Sequence, residues 1–394
     1  MNIDELLNRG VEEIIVRESL EKKLKNGQKL RLKFGIDPTA ADLHLGHTVP
    51  LRKLKQFQDL GHQVVLIMGD FTATIGDPSA RQDARKVLSR EEVKKNMGTY
   101  LAQVGKILDL KKTEVRYNRE WYDQKDTLFL FDLSSKVTLQ QVLKRDDFQK
   151  RLSENRDINM LETMYPLLQG YDSVCVKADL ELGGTDQKFN LLMGRKVQKS
   201  FGQPSQDVMM LSLLEGTDGV QKMSKSVGNY IGILEEPDQM FGKVMSIPDD
   251  LIVKYFRLLT DVPNNQVDDM SKRFKKQVPE PFDPRKEKAR LAFEIVKLYH
   301  SEKEAVTAQK EFERVFVNKE QPAKMPAVVI TEDELKAIDL VAAAFKQSRS
   351  EAKRLIEQNA IEINDKKVSD PFQNIEIKTG LVIKGGRKFA KIKK

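Results

Sequence analysis

Two short clusters in this 394-residue chain carry side chains suited to handling phosphate. The first runs Asp37, Pro38, Thr39, Ala40, Ala41, Asp42, Leu43, His44, Leu45, Gly46, His47. It sets two imidazoles three residues apart, so both fall on one side of a helix start. Gly46 between them has no side chain, which lets a flat ring or a phosphate approach the backbone. Unpaired N–H groups and the positive end of the dipole favour anions at a helix N-terminus, so the pair suits the phosphates of ATP. A metal-binding pair and two capping histidines are alternatives that these residues alone leave open. The second cluster, Lys222, Met223, Ser224, Lys225, Ser226, lies between the turn GTDGVQ and Gly228. Two ammonium groups and two hydroxyls on a glycine-flanked loop can clamp a leaving pyrophosphate as its charge develops. A solvated surface loop is the plain alternative. The two clusters, in this order with a sheet-like region between them, coincide by chance far less often than either alone.

The elements that must carry these residues are legible around them. From about Leu30 to Gly69 the chain gives a strand (LRLKFGI), a polar turn, a helix pattern at Leu51, Leu54, Phe57 and Leu60, and a second strand (HQVVLIMGD). This is a strand, helix, strand unit of the doubly wound kind. The run VVLIM has no alternation, so it should be covered on both faces, as central parallel strands are. The expected fold is α/β, with a doubly wound, Rossmann-like parallel-sheet domain over residues 1–234. A strand is expected in SVCVKADLELGG, after a helix-rich stretch containing LQQVLKRDDFQKRL. Pro237 in EEPDQM opens a helical run. Ala289, Ala292, Phe293, Val296 and Tyr299 share one helical face, so a small all-helical domain is expected over 235–318. The segment NKEQPAKMPAVVI has two prolines and no helical period, which reads as an extended linker at 319–332. Two helix patterns (LKAIDLVAAAF, SRSEAKRLIEQ) and three strand patterns (AIEIN, GLVIK, RKFAKI) make a mixed α+β unit at 333–394.

Composition limits what this assembly can be. With 40% hydrophobic and 32% charged residues it resembles an ordinary soluble protein, and no apolar run approaches the roughly 20 residues that a membrane span requires. The first twenty residues, MNIDELLNRGVEEIIVRESL, read as an amphipathic helix rather than an export signal. Cys175 is the single cysteine, which excludes an internal disulfide and a cysteine-built zinc site, and its apolar setting predicts an inert thiol. The net charge is +8, and from Phe345 onward thirteen lysines and arginines face six acids. Nearly all the excess therefore sits at the C-terminal end, as in a polyanion-binding module attached to a nearly neutral body.

HLGH and KMSKS are the residues through which the chain resembles the class I aminoacyl-tRNA synthetases. Within that class the likeness is to the bacterial tyrosyl enzymes, and it extends to GDFTATIGDPS, MYPLLQGYD and GGTDQKFN. The resemblance implies tyrosine activation with ATP and Mg²⁺, then transfer to the terminal ribose of tRNA(Tyr), in a cytoplasmic homodimer without zinc. His44, His47, Lys222 and Lys225 would be catalytic. Asp37, Thr39, Gly46, Gly184, Asp186, Met223 and Ser224 would join them at ATP. Asp77, Tyr165, Gln169 and Gln187 would surround the amino and carboxylate groups of tyrosine, with Asp172 near the phenol. The C-terminal unit resembles a small RNA-binding domain, and its stretch SRSEAKRLIEQNAIEIN contains Arg349, Lys353 and Arg354 as RNA-facing candidates. Relatives dimerise through the segment matching Leu128 to Glu162, where Leu139, Val142, Leu143 and Phe148 could equally be core. One position departs from the family: Lys33 stands where many relatives carry a tyrosine that helps hold the substrate phenol, which leaves Asp172 as the expected main contact. A tryptophanyl enzyme, a non-catalytic RNA-binding protein and a small-molecule nucleotidylyltransferase are the rival readings. The first fits YPLLQGYD and the C-terminal unit less well, the second has no use for two intact phosphate motifs, and the third has no use for the helical and basic domains.

Overall fold

The computed structural model describes residues 3–38, 42–77, 89–318, 320–321, 325–386 and 388–394. The chain divides into two compact units, 1–308 and 309–394.

The first unit is built on a six-stranded sheet: β1 (Val11–Ile15), β2 (Arg31–Ile36), β3 (Gln63–Met68), β4 (Glu114–Tyr117), β5 (Leu180–Gly184) and β6 (Asp207–Leu211). Their order is β1-β6-β5-β2-β3-β4. All neighbours are parallel except β1, which runs antiparallel along β6 at the edge. The run VVLIM forms β3 and is buried throughout, as its lack of alternation requires. From β2 the chain turns outward one way to β3 and β4, while β5 continues the other way to β6. The crevice between the carboxyl ends of β2 and β5 is therefore the switch point of the sheet, where open α/β folds bind their ligands.

Three helices frame that crevice: α1 (Leu45–Asp59), α2 (Met160–Val176) and α3 (Lys188–Ser200). The stretch SVCV belongs to the last turn of α2, and only LELGG after it is a strand. The α2 pattern of buried Leu167, Leu168, Tyr171 and Val176 outweighs the β-branched composition of those four residues. Cys175 is part-buried on α2, and burial pushes its thiol up to about 12, so it stays protonated and inert.

The amino-terminal segment differs from the single amphipathic helix expected. A short helix over Ile3–Asn8 stops at Gly10, whose φ of +69° is left-handed. A Cβ at Gly10 would also lie 2.8 Å from Leu258. The chain then extends as β1, whose three β-branched residues enclose two glutamates, before a second helix over Arg17–Lys25.

After the sheet come helices Pro237–Met245, Ile252–Leu259, Asn264–Phe274, Pro284–Tyr299 and Glu302–Phe312. Pro237 stands at the first helical position, where its missing N–H costs nothing. The buried face of Pro284–Tyr299 centres on Leu291, Ala292, Ile295, Val296 and Tyr299, a slight rotation from the expected stripe. Arg9 ties these helices to the amino-terminal segment. Its buried guanidinium donates to the backbone oxygens of Arg257 (3.0 Å), Val262 (2.9 Å), Thr260 (2.8 Å) and Phe256 (3.3 Å), gathering carbonyls at and just beyond the end of Ile252–Leu259.

The second unit holds the helices Ala337–Phe345 and Arg349–Glu357 over a small sheet of Ile361–Ile363, Lys366–Lys367, Val382–Gly385 and Lys388–Lys393. Part of the expected linker is not a linker: Ala327–Val329 pairs in parallel with Lys391–Lys393 as a strand of this sheet. Ile338, Val341, Ala352, Ile356, Ile383 and Ile392 contribute to its core. Among the described residues no helix is long and apolar enough to cross a membrane.

Hydrogen bonds to charged groups contribute roughly 1.5–3 kcal/mol each and do not add independently. Replacing Arg9 by Met is therefore expected to lower the stability of the full chain by about 3 kcal/mol. Urea unfolding followed by far-ultraviolet dichroism measures it, and an unchanged midpoint would mean the four carbonyls are equally well satisfied by solvent.

Candidate active site

The site forms where β2, β3, β4 and β5 end. Asp37, just beyond β2, accepts from the Thr72 hydroxyl at 2.8 Å and from the Tyr165 hydroxyl of α2 at 2.9 Å. That second bond joins a residue expected at ATP to one expected at tyrosine. The carboxylate also dictates Gly69 at the end of β3, because a Cβ there would stand 2.0 Å from Asp37 Oδ1. Burial, reinforced by Asp37, Asp77 and Asp172, raises the Tyr165 hydroxyl well above its usual value, so it remains a donor. Thr39 lies outside the described residues.

Asp172 is buried and accepts from three side chains: Trp121 Nε1 at 2.9 Å, Tyr122 OH at 3.0 Å and Asn118 Nδ2 at 3.4 Å. Burial raises its carboxyl to about 6, against the lowering effect of the Lys33 ammonium and of these donors. Asn118 is fully buried at the end of β4, and its amide also donates to Thr72 Oγ1 at 2.9 Å while its oxygen accepts from the Phe71 N–H. A continuous path thus runs from Asp172 through Asn118 and Thr72 to Asp37 and Tyr165. Asn118, Thr72, Trp121 and Tyr122 escaped the sequence reading. A buried asparagine leaves no periodic mark, and the only hint was that Trp121 is the single tryptophan of the chain.

Lys33 does not reach toward the crevice. Its fully buried ammonium pairs with Glu181 of β5 at 2.8 Å and donates to Ser173 Oγ and to the Gln169 backbone oxygen, each at 2.7 Å. Glu181 also accepts from Gln206 Nε2, from Ser173 Oγ at 3.3 Å and from Gln169 Nε2 at 3.2 Å. The Gln169 side chain is therefore oriented by Glu181, with its oxygen left for a donor. On the other wall Gln187 Nε2 donates to Asp77 Oδ2 at 2.8 Å.

A backbone ladder joins the first cluster to the stretch just after the second. Residues 43–45 pair with residues 231–233 through Leu45 N–H to the Ile231 oxygen (2.9 Å) and Ile233 N–H to the Leu43 oxygen (3.1 Å). His44 caps α1, and its backbone N–H donates to His47 Nδ1 at 3.3 Å. The rings lie 3.8 Å apart. Burial, with Lys222 and Lys225 nearby, lowers His44 to about 4, and burial with His44 beside it holds His47 well below the usual histidine range. Both rings are thus uncharged near neutral pH and offer hydrogen bonds, not positive charge. His44 Nδ1 is buried without a partner among the described residues.

Met223 plunges into the core and backs onto Gly46, pinning the middle of KMSKS. Its flanking lysines stay at the surface, Lys222 on Asp186 at 2.5 Å and Lys225 on Asp42 at 3.0 Å. Gly184 ends β5 immediately before the turn that carries Asp186. Ser224 N–H donates to Asn229 Oδ1 at 2.8 Å, and the buried Asn229 amide donates to Asp218 Oδ2 at 2.9 Å, bracing the loop from within. Asn229 also lay outside the sequence reading. In the second unit Arg349, Lys353 and Arg354 are exposed on a helix whose other face, Ala352 and Ile356, is core. Arg349 pairs with Asp339 at 2.9 Å.

Residues 25–317 match the family model of tRNA synthetases class I (W and Y), and residues 318–388 match that of the tyrosine–tRNA ligase SYY-like C-terminal domain. The chain is 51% identical to the tyrosine–tRNA ligase of Dehalococcoides mccartyi, over 98% of this chain and 97% of that protein. It is 48% identical to that of Thermotoga maritima, over 98% and 96%. Among solved structures, a C-terminally truncated mitochondrial tyrosyl-tRNA synthetase of Aspergillus nidulans aligns with a TM-score of 0.65 at 22% identity, over 79% of this chain and 93% of that one. The tyrosyl-tRNA synthetase of Archaeoglobus fulgidus complexed with L-tyrosine aligns with a TM-score of 0.62 at 20% identity, over 77% and 98%. The chain belongs to the class I tRNA synthetases of the tryptophan and tyrosine group. Its activity is that of a tyrosine–tRNA ligase.

Removing one partner of a buried pair leaves an uncompensated charge and costs about 3–5 kcal/mol. Lys33→Met should destabilise the chain on that scale, and adding Glu181→Leu should restore part of the loss. Thermal unfolding of the single and double variants tests this; a single variant as stable as the parent would show that Glu181 is adequately held by Gln206, Ser173 and Gln169.

Proposed function

We propose a residue-level assignment for the tyrosine–tRNA ligase activity that family membership gives this chain. The observation that carries it is the Tyr165–Asp37 hydrogen bond, which sets the two groups of candidate residues side by side at the switch point of the sheet. Tyrosine occupies the pocket among Asp77, Tyr165, Gln169 and Gln187, with its phenol at Asp172. Three donors already hold the Asp172 carboxylate, and a carboxylate accepts about four hydrogen bonds, so one acceptor position is left for a phenol hydroxyl. ATP lies along Asp37, Thr39, His44, Gly46, His47, Gly184 and Asp186, under the loop of Lys222, Met223, Ser224 and Lys225. Mg²⁺ enters with ATP as part of the substrate.

In the first step the tyrosine carboxylate oxygen bonds to the α-phosphorus while the bond to the bridging oxygen breaks, and that oxygen leaves with pyrophosphate. Negative charge grows on the departing group. The neutral rings of His44 and His47 donate hydrogen bonds to it, and Lys222 and Lys225 exchange Asp186 and Asp42 for it. A ribose hydroxyl at the end of tRNA(Tyr) then attacks the tyrosyl carbonyl and AMP departs. Positioning carries most of this chemistry. The helices over 235–318 would serve the anticodon region. Arg349, Lys353 and Arg354 of the C-terminal unit would meet tRNA phosphates, as its positive charge suits.

We also read the enzyme as a cytoplasmic homodimer. In the segment 128–162 Val142 and Phe148 are core, but Leu128, Phe131, Leu139 and Met160 are exposed, an apolar face suited to a second copy.

Lys222→Ala and Lys225→Ala should each slow adenylate formation on the order of a hundredfold, about 3 kcal/mol, with little change in tyrosine affinity. Stopped-flow rates at saturating tyrosine check this, and parental rates in both variants would remove the loop from the mechanism.

A site that hydrogen-bonds a phenol rejects phenylalanine because the buried polar groups are otherwise left unpaired. The handling of tyrosine against phenylalanine by tyrosyl-tRNA synthetase is the standard case, at about 10⁵. Asp172→Ala should reduce discrimination in pyrophosphate exchange to roughly tenfold. In the parent enzyme tyrosine KM should rise as pH falls through about 6, where Asp172 takes up its proton and loses acceptor strength. Full discrimination in the Asp172 variant would move phenol recognition elsewhere.

A further inference from the structure

The two lysines of KMSKS rest on carboxylates of different kinds. Lys222 sits on Asp186, which is largely buried in the turn after β5 and belongs to the residues assigned to ATP. An arriving nucleotide engages that carboxylate itself and so releases Lys222. Lys225 sits on Asp42 at 3.0 Å, and Asp42 is half exposed and stands outside the residues assigned to ATP and to tyrosine. Substrate binding therefore leaves this second seat in place, as available to Lys225 after ATP has entered as before.

Both sides of the Lys225–Asp42 contact stand on firm supports. Asp42 immediately precedes Leu43, a fully buried residue whose N–H donates to Gln103 Oε1 at 2.7 Å and whose oxygen accepts from the Ile233 N–H at 3.1 Å. On the loop side Met223 is buried two residues before Lys225, and the Ser224 N–H is held by Asn229. The Lys225 ammonium also lies 5.7 Å from the centre of the Tyr230 ring, whose face favours a cation. With the backbone held on both sides, the moving part is the lysine side chain, and two anions compete for it: the Asp42 carboxylate and the phosphates of the reaction. While Lys225 holds pyrophosphate, Asp42 is without this partner; once Lys225 returns to Asp42, pyrophosphate has lost one of its clamps. The affinity of the loop for phosphate is lowered by the fraction of time that Lys225 spends on Asp42.

We propose that Asp42 is a positioning residue that competes with pyrophosphate for Lys225: it loosens the grip of the loop on ATP and on the departing pyrophosphate, which lowers substrate affinity and speeds product release. This rests on the assignment of Lys225 to the pyrophosphate clamp. It differs in sign from a simple anchoring role. An anchor that held Lys225 ready for phosphate would weaken both ligands when removed, whereas removal of a competitor tightens them.

The test is Asp42→Asn, which keeps the shape of the side chain and removes its charge at a half-exposed position. Stopped-flow fluorescence on the full chain gives the dissociation constant of ATP in adenylate formation and that of pyrophosphate in its reversal. Both are expected to fall about threefold, the ratio that a partly exposed ion pair supports, with tyrosine affinity unchanged. In a Lys225→Ala background the same substitution should change either constant by less than about 1.5-fold, because at physiological salt a surface carboxylate acts weakly through space. Unchanged or raised constants in Asp42→Asn would overturn the proposal, and so would equal tightening in both backgrounds, which would make Asp42 a plain repulsive charge. Lys225→Ala alone keeps this apart from the underlying assignment. If that variant binds pyrophosphate as the parent does, Lys225 is not in the clamp at all; if it binds pyrophosphate more weakly while Asp42→Asn is parental, only the competition fails.

Discussion

Carboxylates held largely out of water on and beside the central strands are the constraint around which this molecule is arranged. An ionised carboxylate in an apolar interior must find donors or give up its charge. Asp172 is met by Trp121, Tyr122 and Asn118, Asp37 by Thr72 and Tyr165, and Glu181 by Lys33, Ser173, Gln169 and Gln206. Those donors come from strand ends, from α2 and from the loop after β4, so satisfying three acids also fixes the relative placement of most elements that border the crevice. Gly69 follows from the same requirement, since the Asp37 carboxylate lies where any side chain would stand.

The positive groups are distributed with equal economy. Lys33 is locked into the interior, where its charge balances Glu181, while Lys222 and Lys225 rest on carboxylates at a partly exposed surface. Partly exposed pairs contribute little to stability, so leaving them takes little free energy. The two histidines between these extremes are kept neutral by burial and by the neighbouring lysines, which makes them hydrogen-bonding groups of constant character across the physiological range.

Much of this could be read from the amino-acid sequence where the signal was periodic or composed of a rare combination. VVLIM announced a central strand and Pro237 a helix start, and the stretch that follows KMSKS is joined to HLGH by a backbone ladder. What escaped was either local or distributed. Gly10 breaks what composition alone presents as one amphipathic helix, and SVCV, strand-like by residue type, is helical because α2 buries a longer apolar face. Lys33 could be seen to differ from relatives but not to pair with Glu181, a residue 148 positions away. Asn118 gave no sign at all, because a buried amide is defined by its partners and those partners are scattered along the chain.

The edge strand β1 has a consequence for how the protein is made. Val11 pairs with Leu211, so this segment is synthesised some two hundred positions before its sheet partner among the described residues. At roughly 5–20 residues per second that interval is on the order of ten to forty seconds. During it the sequence VEEII keeps two adjacent glutamates in the strand, and like charges discourage a premature match with another copy emerging from a neighbouring ribosome. The acids that look unremarkable on the finished surface are thus best understood as protection for an unfinished one.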